Sequence, residues 1–125
     1  MRIVCDTSLL VALEGWEAAA ALRRKLTVER DSITALRFHG SYQDPGGALR
    51  VGGTGLPRVV YAGHFRRQGQ REFWYVRKPR GFSRFRAENV LEIETTGRFA
   101  RVLLTTTPAE ADSVIRWFDR TSARL

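Results

Sequence analysis

The stretch TPAEADSVIRWF, residues 107–118, constrains this chain more than any other. Thr107, Pro108 and Glu110 have capping-box spacing with proline at the first helical position. The threonine hydroxyl can accept from the Glu110 amide while the glutamate carboxylate reaches back to the threonine amide. Ala111, Val114, Ile115 and Phe118 then recur at i, i+3, i+4 and i+7, making one apolar stripe that must pack on something. Glu110 and Asp112 near its start, and Arg116, Arg120 and Arg124 toward its end, suit the helix dipole. A helix therefore starts at Pro108, and the residues before it must build the surface it covers.

Those residues read mainly as strands. Arg2 to Glu14 is strand-like with a turn at DTS, and both faces look substantially buried. Gly15 breaks it, and WEAAAALRRK, without a β-branched residue, predicts a short helix from Trp16 to Arg24. LTVERDSITALRFHG returns to β-branched and aromatic residues, giving a short extended piece and a strand over Ser32–Phe38. Gly40 to Pro57 holds six of the eleven glycines and two of the four prolines and reads as a long loop. Val59–Arg66 and Arg71–Lys78 form a hairpin turning at Gly69, and Pro79 stops it. After an irregular RGFSRFRAE comes a second hairpin, NVLEIETTGRFARVLLTTT, with Leu91 and Ile93 facing the core and Glu92 and Glu94 facing solvent. About seven strands, one early helix and one terminal helix indicate an α+β, mainly β fold: a bent antiparallel sheet or partly open barrel closed by the carboxyl-terminal helix.

A chain of 125 residues fits one domain, 1–125, able to bury its own core. Its longest apolar run near the amino end, Ser8–Leu13, is too short to span a membrane and is flanked by Asp6 and Glu14, so no signal peptide or transmembrane segment is expected. The single cysteine, Cys5, reads as a small buried thiol in a reducing cytoplasm. The net charge of +8 comes from 19 arginines and only two lysines, and it favours anionic partners.

The succession LVALEG…ALRRKLTVERDSITALR, LRVGGTGLPRVVYAGHFRRQGQREFWYVR, a two-strand hairpin and TPAEADSVIRWF resembles the pleckstrin-homology-like (PH-like) domains of small bacterial proteins. The resemblance covers nearly the whole chain and rests on structural motifs. It implies a seven-stranded bent sheet closed by the last helix, used as a binding module or scaffold, and it supplies no catalytic residue.

LRVGGTGLP does not read as a phosphate-binding loop. Such a loop precedes a helix, whereas a strand follows here, and the spacing lacks a third glycine at position 58 and any Gly-Lys-Ser/Thr. The glycines read instead as a tight strand entry, with Pro57 at the strand start. The basic segment VRKPRGFSRFR is the main binding candidate: Arg77, Lys78, Arg80, Arg84 and Arg86 interleave with Phe82 and Phe85, a pattern suited to phosphates and to ring stacking or lipid insertion. Arg66, Arg67 and Arg71 suggest a further basic cluster at the other end of the hairpin. His39 and His64 carry no metal or nucleophile signature, and Glu92 and Glu94 read as an ordinary exposed pair, so no catalytic, metal or cofactor site is expected. Trp16, Trp74 and Trp117 read as buried area. Aromatics on both faces of the strand around Trp74 nonetheless make Trp74, Phe82 and Phe85 candidate interface residues.

The sequence thus points to a non-enzymatic cytoplasmic module, possessing no cofactor, that recognises a protein partner or itself. The alternative is peripheral binding to an anionic surface, acidic lipid at the membrane inner face or nucleic acid, through residues 77–86.

Overall fold

The computed structural model describes residues 1–56, 58–81 and 84–123, with side chains described as far as residue 120. Pro57, Phe82 and Arg124 lie outside the described residues. The described residues form nine strands and two α-helices: β1 Arg2–Cys5, β2 Ser8–Ala12, α1 Trp16–Ala21, β3 Lys25–Glu29, β4 Ile33–Gln43, β5 Ala48–Leu56, β6 Val60–Arg67, β7 Gln70–Arg77, β8 Arg86–Thr95, β9 Arg101–Thr105 and α2 Pro108–Ala123. A single 3-10 turn at Arg30–Ser32 links β3 to β4. The fold class is α+β and sheet-rich.

Two sheets result. Strands β1, β2 and β3 pair antiparallel in that order, and the other six run β4-β8-β9-β7-β6-β5. All pairs in the larger sheet are antiparallel except one. Strand β9 inserts parallel to β7, with Glu72 opposite Arg101 and Tyr75 opposite Leu104, so the sheet is mixed where an all-antiparallel one was expected.

Alternation along β7 explains why this sheet has a core on each face. Phe73 and Tyr75 join Leu9, Val11, Leu26 and Val28 of the small sheet, Leu91, Ile93, Val102 and Leu104, and Ala111, Val114 and Trp117 of α2. Trp74 and Val76 point the other way, into a second cluster with Tyr42, Tyr61, Phe65, Phe85, Val90 and Leu103. Each fully buried aromatic or aliphatic side chain here is worth about 1.5–3 kcal/mol. Only one face of the amino-terminal hairpin is fully buried: Leu9 and Val11 are inside, whereas Leu10 is half-buried and Val4 exposed.

Helix α2 starts as its sequence requires. The Glu110 amide donates to Thr107 Oγ1 at 3.1 Å, and the Thr107 amide donates to Glu110 Oε1 at 2.9 Å. Trp117 extends the apolar stripe and donates through Nε1 to the Asp6 carbonyl at 2.7 Å, pinning the helix to the β1–β2 turn. Helix α1 ends earlier than predicted, at Ala21, because Leu22 adopts a left-handed conformation.

The stretch from 40 to 57 is not a long loop. Strand β4 continues to Gln43, a short turn covers 44–47, and β5 fills 48–56 as an edge strand paired to β6. Its glycines serve a close strand approach. Gly53 and Gly63 lie opposite each other with φ of +121° and +123°, and a Cβ on either would collide with the partner strand's backbone. A register shift between Arg50 and Gly52 accompanies them.

Candidate functional site

The two directions of the hairpins leave a cleft of about 480 Å³ at the Arg77 end of β7. It is lined by Arg77, Lys78, Arg80 and Arg86, with Ser41, Glu88, Asn89 and Thr105 among the other walls. Four of the five predicted basic residues therefore converge. Arg84 is exposed on the same loop but does not line the cleft.

Local bonding fixes the backbone that carries these basic residues. The Arg77 amide donates to Thr105 Oγ1 at 2.8 Å, tying the end of β7 to β9. Lys78, in a left-handed conformation, donates through its amide to the Val59 carbonyl at 2.9 Å, and the Arg58 amide donates to the Pro79 carbonyl at 2.9 Å. Arg80 and Arg86 exchange both backbone bonds, each at 2.8 Å, as an antiparallel bridge. Residues so paired sit about 5.5 Å apart at Cα with side chains on one face, where like charges repel. Phe85, fully buried, anchors the intervening loop in the second core, Asp44 donates its amide to the Phe85 carbonyl at 2.9 Å, and the Tyr61 hydroxyl donates to the Gly81 carbonyl.

Among the described residues none of the four cleft cations is ion-paired to a carboxylate, although Glu88 is on the wall. Arg77 instead lies 6.0 Å from the centroid of the Trp16 ring. Trp16 is 56% exposed, contrary to its expected burial, with its ring tilted against Tyr75 of β7 at 6.4 Å between centroids. Arg58, together with Lys78 and Arg80, lines an adjoining depression. Sequence reading missed Arg58, Trp16 and the polar walls, since they come from segments distant in the chain.

Two of the three expected interface aromatics are interior. Trp74 is 3% exposed and Phe85 0% exposed, so neither can meet a partner; Phe82 lies outside the described residues. Trp74 stacks on Phe65 with centroids 3.8 Å apart, and Phe85 lies against Tyr42 and Tyr61. Phe85 thus packs on the sheet's second face together with Trp74.

Beneath these rings runs a buried charge network. Arg67 donates to Asp44 Oδ1 at 2.6 Å and to Glu72 Oε2 at 3.0 Å, and Arg101 donates to Glu92 Oε2 at 2.9 Å and Glu72 Oε2 at 3.3 Å. Trp74 Nε1 donates to Glu72 Oε1 at 2.9 Å, and His39 Nε2 lies 2.9 Å from Glu92 Oε1. Glu92 is thus not solvent-facing as expected but 7% exposed. Burial alone would push its carboxyl upward; hydrogen bonds and charge from Arg101 and His39 outweigh that and hold it below the usual carboxylate range. Glu94 stays half-buried against Arg37 at 3.2 Å. Among the described residues the three buried carboxylates, Asp44, Glu72 and Glu92, are thereby each engaged by arginine.

No helix among the described residues is long and apolar enough to cross a membrane. Comparison with protein-family models, curated proteins and solved structures finds no match to this chain.

Proposed function

We propose that this chain is a non-enzymatic binding module whose basic cleft holds phosphate groups displayed on a larger anionic surface. The observation that carries the reading is the Arg80–Arg86 bridge. Two arginines are held directly opposite one another, beside Arg77 and Lys78, and among the described residues neither is ion-paired to a carboxylate, Glu88 on the wall included. Such a pair repels itself unless an anion lies between, and planar guanidinium groups offer forked donors that match phosphate oxygens. Anchoring through Phe85 and the Tyr61–Gly81 bond supports the backbone that carries the donors, which lowers the ordering cost at binding. A cytoplasmic setting and kinship with PH-like domains belong to the same proposal. A large sheet bearing an apolar-faced carboxyl-terminal helix supports the kinship, and the parallel β7–β9 pair departs from it.

The test is co-sedimentation with neutral and anionic vesicles at low and near-physiological salt, with a labelled single-stranded oligonucleotide as competitor. Salt-sensitive capture on anionic vesicles, lost in Arg80→Ala/Arg86→Ala, is the expected result. Capture that the oligonucleotide displaces places nucleic acid first. Absence of binding to vesicles and oligonucleotide at low salt overturns the cleft reading.

A second reading, recognition of a protein strand or of another copy of the chain, is favoured by β5. This edge strand exposes Leu49 (73%) and Val51 (63%) beside an unpaired backbone edge. Exposed apolar edges invite strand addition. Sedimentation velocity distinguishes it: a self-associating chain becomes monomeric in Leu49→Lys/Val51→Lys, and a chain that is monomeric throughout leaves only a foreign strand as occupant.

A further inference from the structure

A second group of cations gathers at the opposite end of β7. Arg71 and Arg77 are six positions apart, roughly 20 Å along the strand, so this group is separate from the cleft. At its centre is the buried ring of Phe99. The Arg23 guanidinium carbon lies 5.5 Å from the ring centroid, that of Arg98 5.6 Å, and the His64 ring centroid 5.6 Å. Arg71 and Arg66 are cross-strand partners in β6 and β7, so their side chains leave the sheet on the same face as His64. The Ala100 amide donates to the Arg71 carbonyl at 2.8 Å, which clamps the β8–β9 turn bearing Arg98 and Phe99 against β7.

The charges are not cancelled from within. Among the described residues Arg23, Arg66, Arg71 and Arg98 have no ion-paired carboxylate. A cavity of about 130 Å³ opens beside Arg23, Arg98 and Phe99, and Glu29 is the single carboxylate on its wall. Arg23 Nε donates to the Lys25 carbonyl at 2.8 Å, which orients the guanidinium and leaves its two terminal nitrogens without a protein acceptor among the described residues. Stacking on an aromatic ring holds a guanidinium plane while its N–H edge stays available. Burial, and then the charges of Arg23, Arg98 and Arg71, hold the His64 imidazole below its ordinary range, and burial with Arg98 lowers Arg23. The site thus repels protons as it stands.

We propose that Arg23 and Arg98, flanking Phe99 beside His64, form a second anion site that takes a single phosphate group, free or as a terminal monoester. The bound dianion accepts from both guanidinium edges, offsets the repulsion among Arg23, Arg98 and Arg71, and favours protonation of His64. Glu29 limits the site to small anions by repelling any extension toward β3. The site is independent of the cleft, and each can fail without the other.

The experiment uses the full chain carrying Arg80→Ala/Arg86→Ala, so that the cleft contributes nothing. Imidazole proton resonances are followed by NMR against pH, with His39→Gln assigning His64, in chloride, in inorganic phosphate and in glycerol phosphate at matched ionic strength. The expected result is an upward shift of the His64 titration in both phosphates, absent in chloride, with affinity falling at least tenfold in Arg98→Gln and in Arg23→Gln. Arg98 lies on an exposed turn, so Arg98→Gln remains informative should Arg23→Gln fail to fold. Response to inorganic phosphate alone assigns the free ion; response to both assigns a monoester-compatible site. A His64 titration unmoved by phosphate, or moved equally in Arg98→Gln, overturns the proposal.

Discussion

Arg67 and Arg101 occupy the same sheet as Arg80 and Arg86 and its flanking loop, yet the two pairs live in opposite circumstances. The first pair is engaged by the buried carboxylates of Asp44, Glu72 and Glu92, with Arg67 6.0 Å from the centroid of the Trp74 ring. The second stands across a backbone bridge with only Glu88 on the wall and no ion pair. The residue type is identical, and the supply of carboxylates decides its role. Where partners are within reach, arginine becomes part of the core; where they are missing, it remains available to an external anion.

The comparison breaks most visibly at Arg101. Arg101→Met leaves Glu72 and Glu92 buried beside one fewer cation, and the expected loss is about 3–5 kcal/mol in urea unfolding. A smaller loss than in an exposed control would mean the network is solvated. Next comes Gly63→Ala, which forces a Cβ into the β5 backbone at a positive φ directly opposite Trp74 in the β6–β7 pair. It should cost about 2–4 kcal/mol, through strain and overpacking. A near-wild-type midpoint would show that β5 can move away.

Acid sharpens the contrast further. The folded Glu92 carboxyl lies below its unfolded value of 4.5, so its stabilisation is present above pH 4.5 and is lost as pH falls through the folded value. Unfolding free energy measured from pH 6 down to pH 3 should fall more steeply in the wild type than in Glu92→Gln. Parallel curves would place the acid sensitivity elsewhere. Thr107→Ala, remote from both arginine regions, should cost about 1 kcal/mol by removing the cap; an unchanged melting temperature would mean that the helix is held by packing alone. Smallest of all, Arg80→Ala/Arg86→Ala should alter unfolding by no more than about 0.5 kcal/mol, while abolishing vesicle or oligonucleotide capture. A large destabilisation would move these arginines from ligand binding to structure.

Signals carried by neighbouring residues were legible in advance. The Thr107–Glu110 cap, the β6–β7 and β8–β9 hairpins and the alternation of Leu91 with Ile93 all depend on groups within a few positions of each other. The basic segment was legible too, because its five cations fall within residues 77–86. The glycine-rich stretch misled, since a strand that uses glycine to approach Gly63 has the composition of a loop. Glu92 misled for a related reason: an alternating glutamate reads as exposed unless Arg101 and His39 are known to face it.

By itself the sequence determined where the last helix starts, which residues form the two long hairpins, and that positive charge collects between Arg77 and Arg86. These depend on short-range hydrogen bonds, periodicity and charge density. Only the tertiary structure decided that β9 runs parallel to β7, that Trp74 and Phe85 lie in a second core, and which arginines are ion-paired in the interior. Those outcomes depend on which distant side chains share a face, and burial and pairing energies depend on that neighbourhood, which no local pattern encodes.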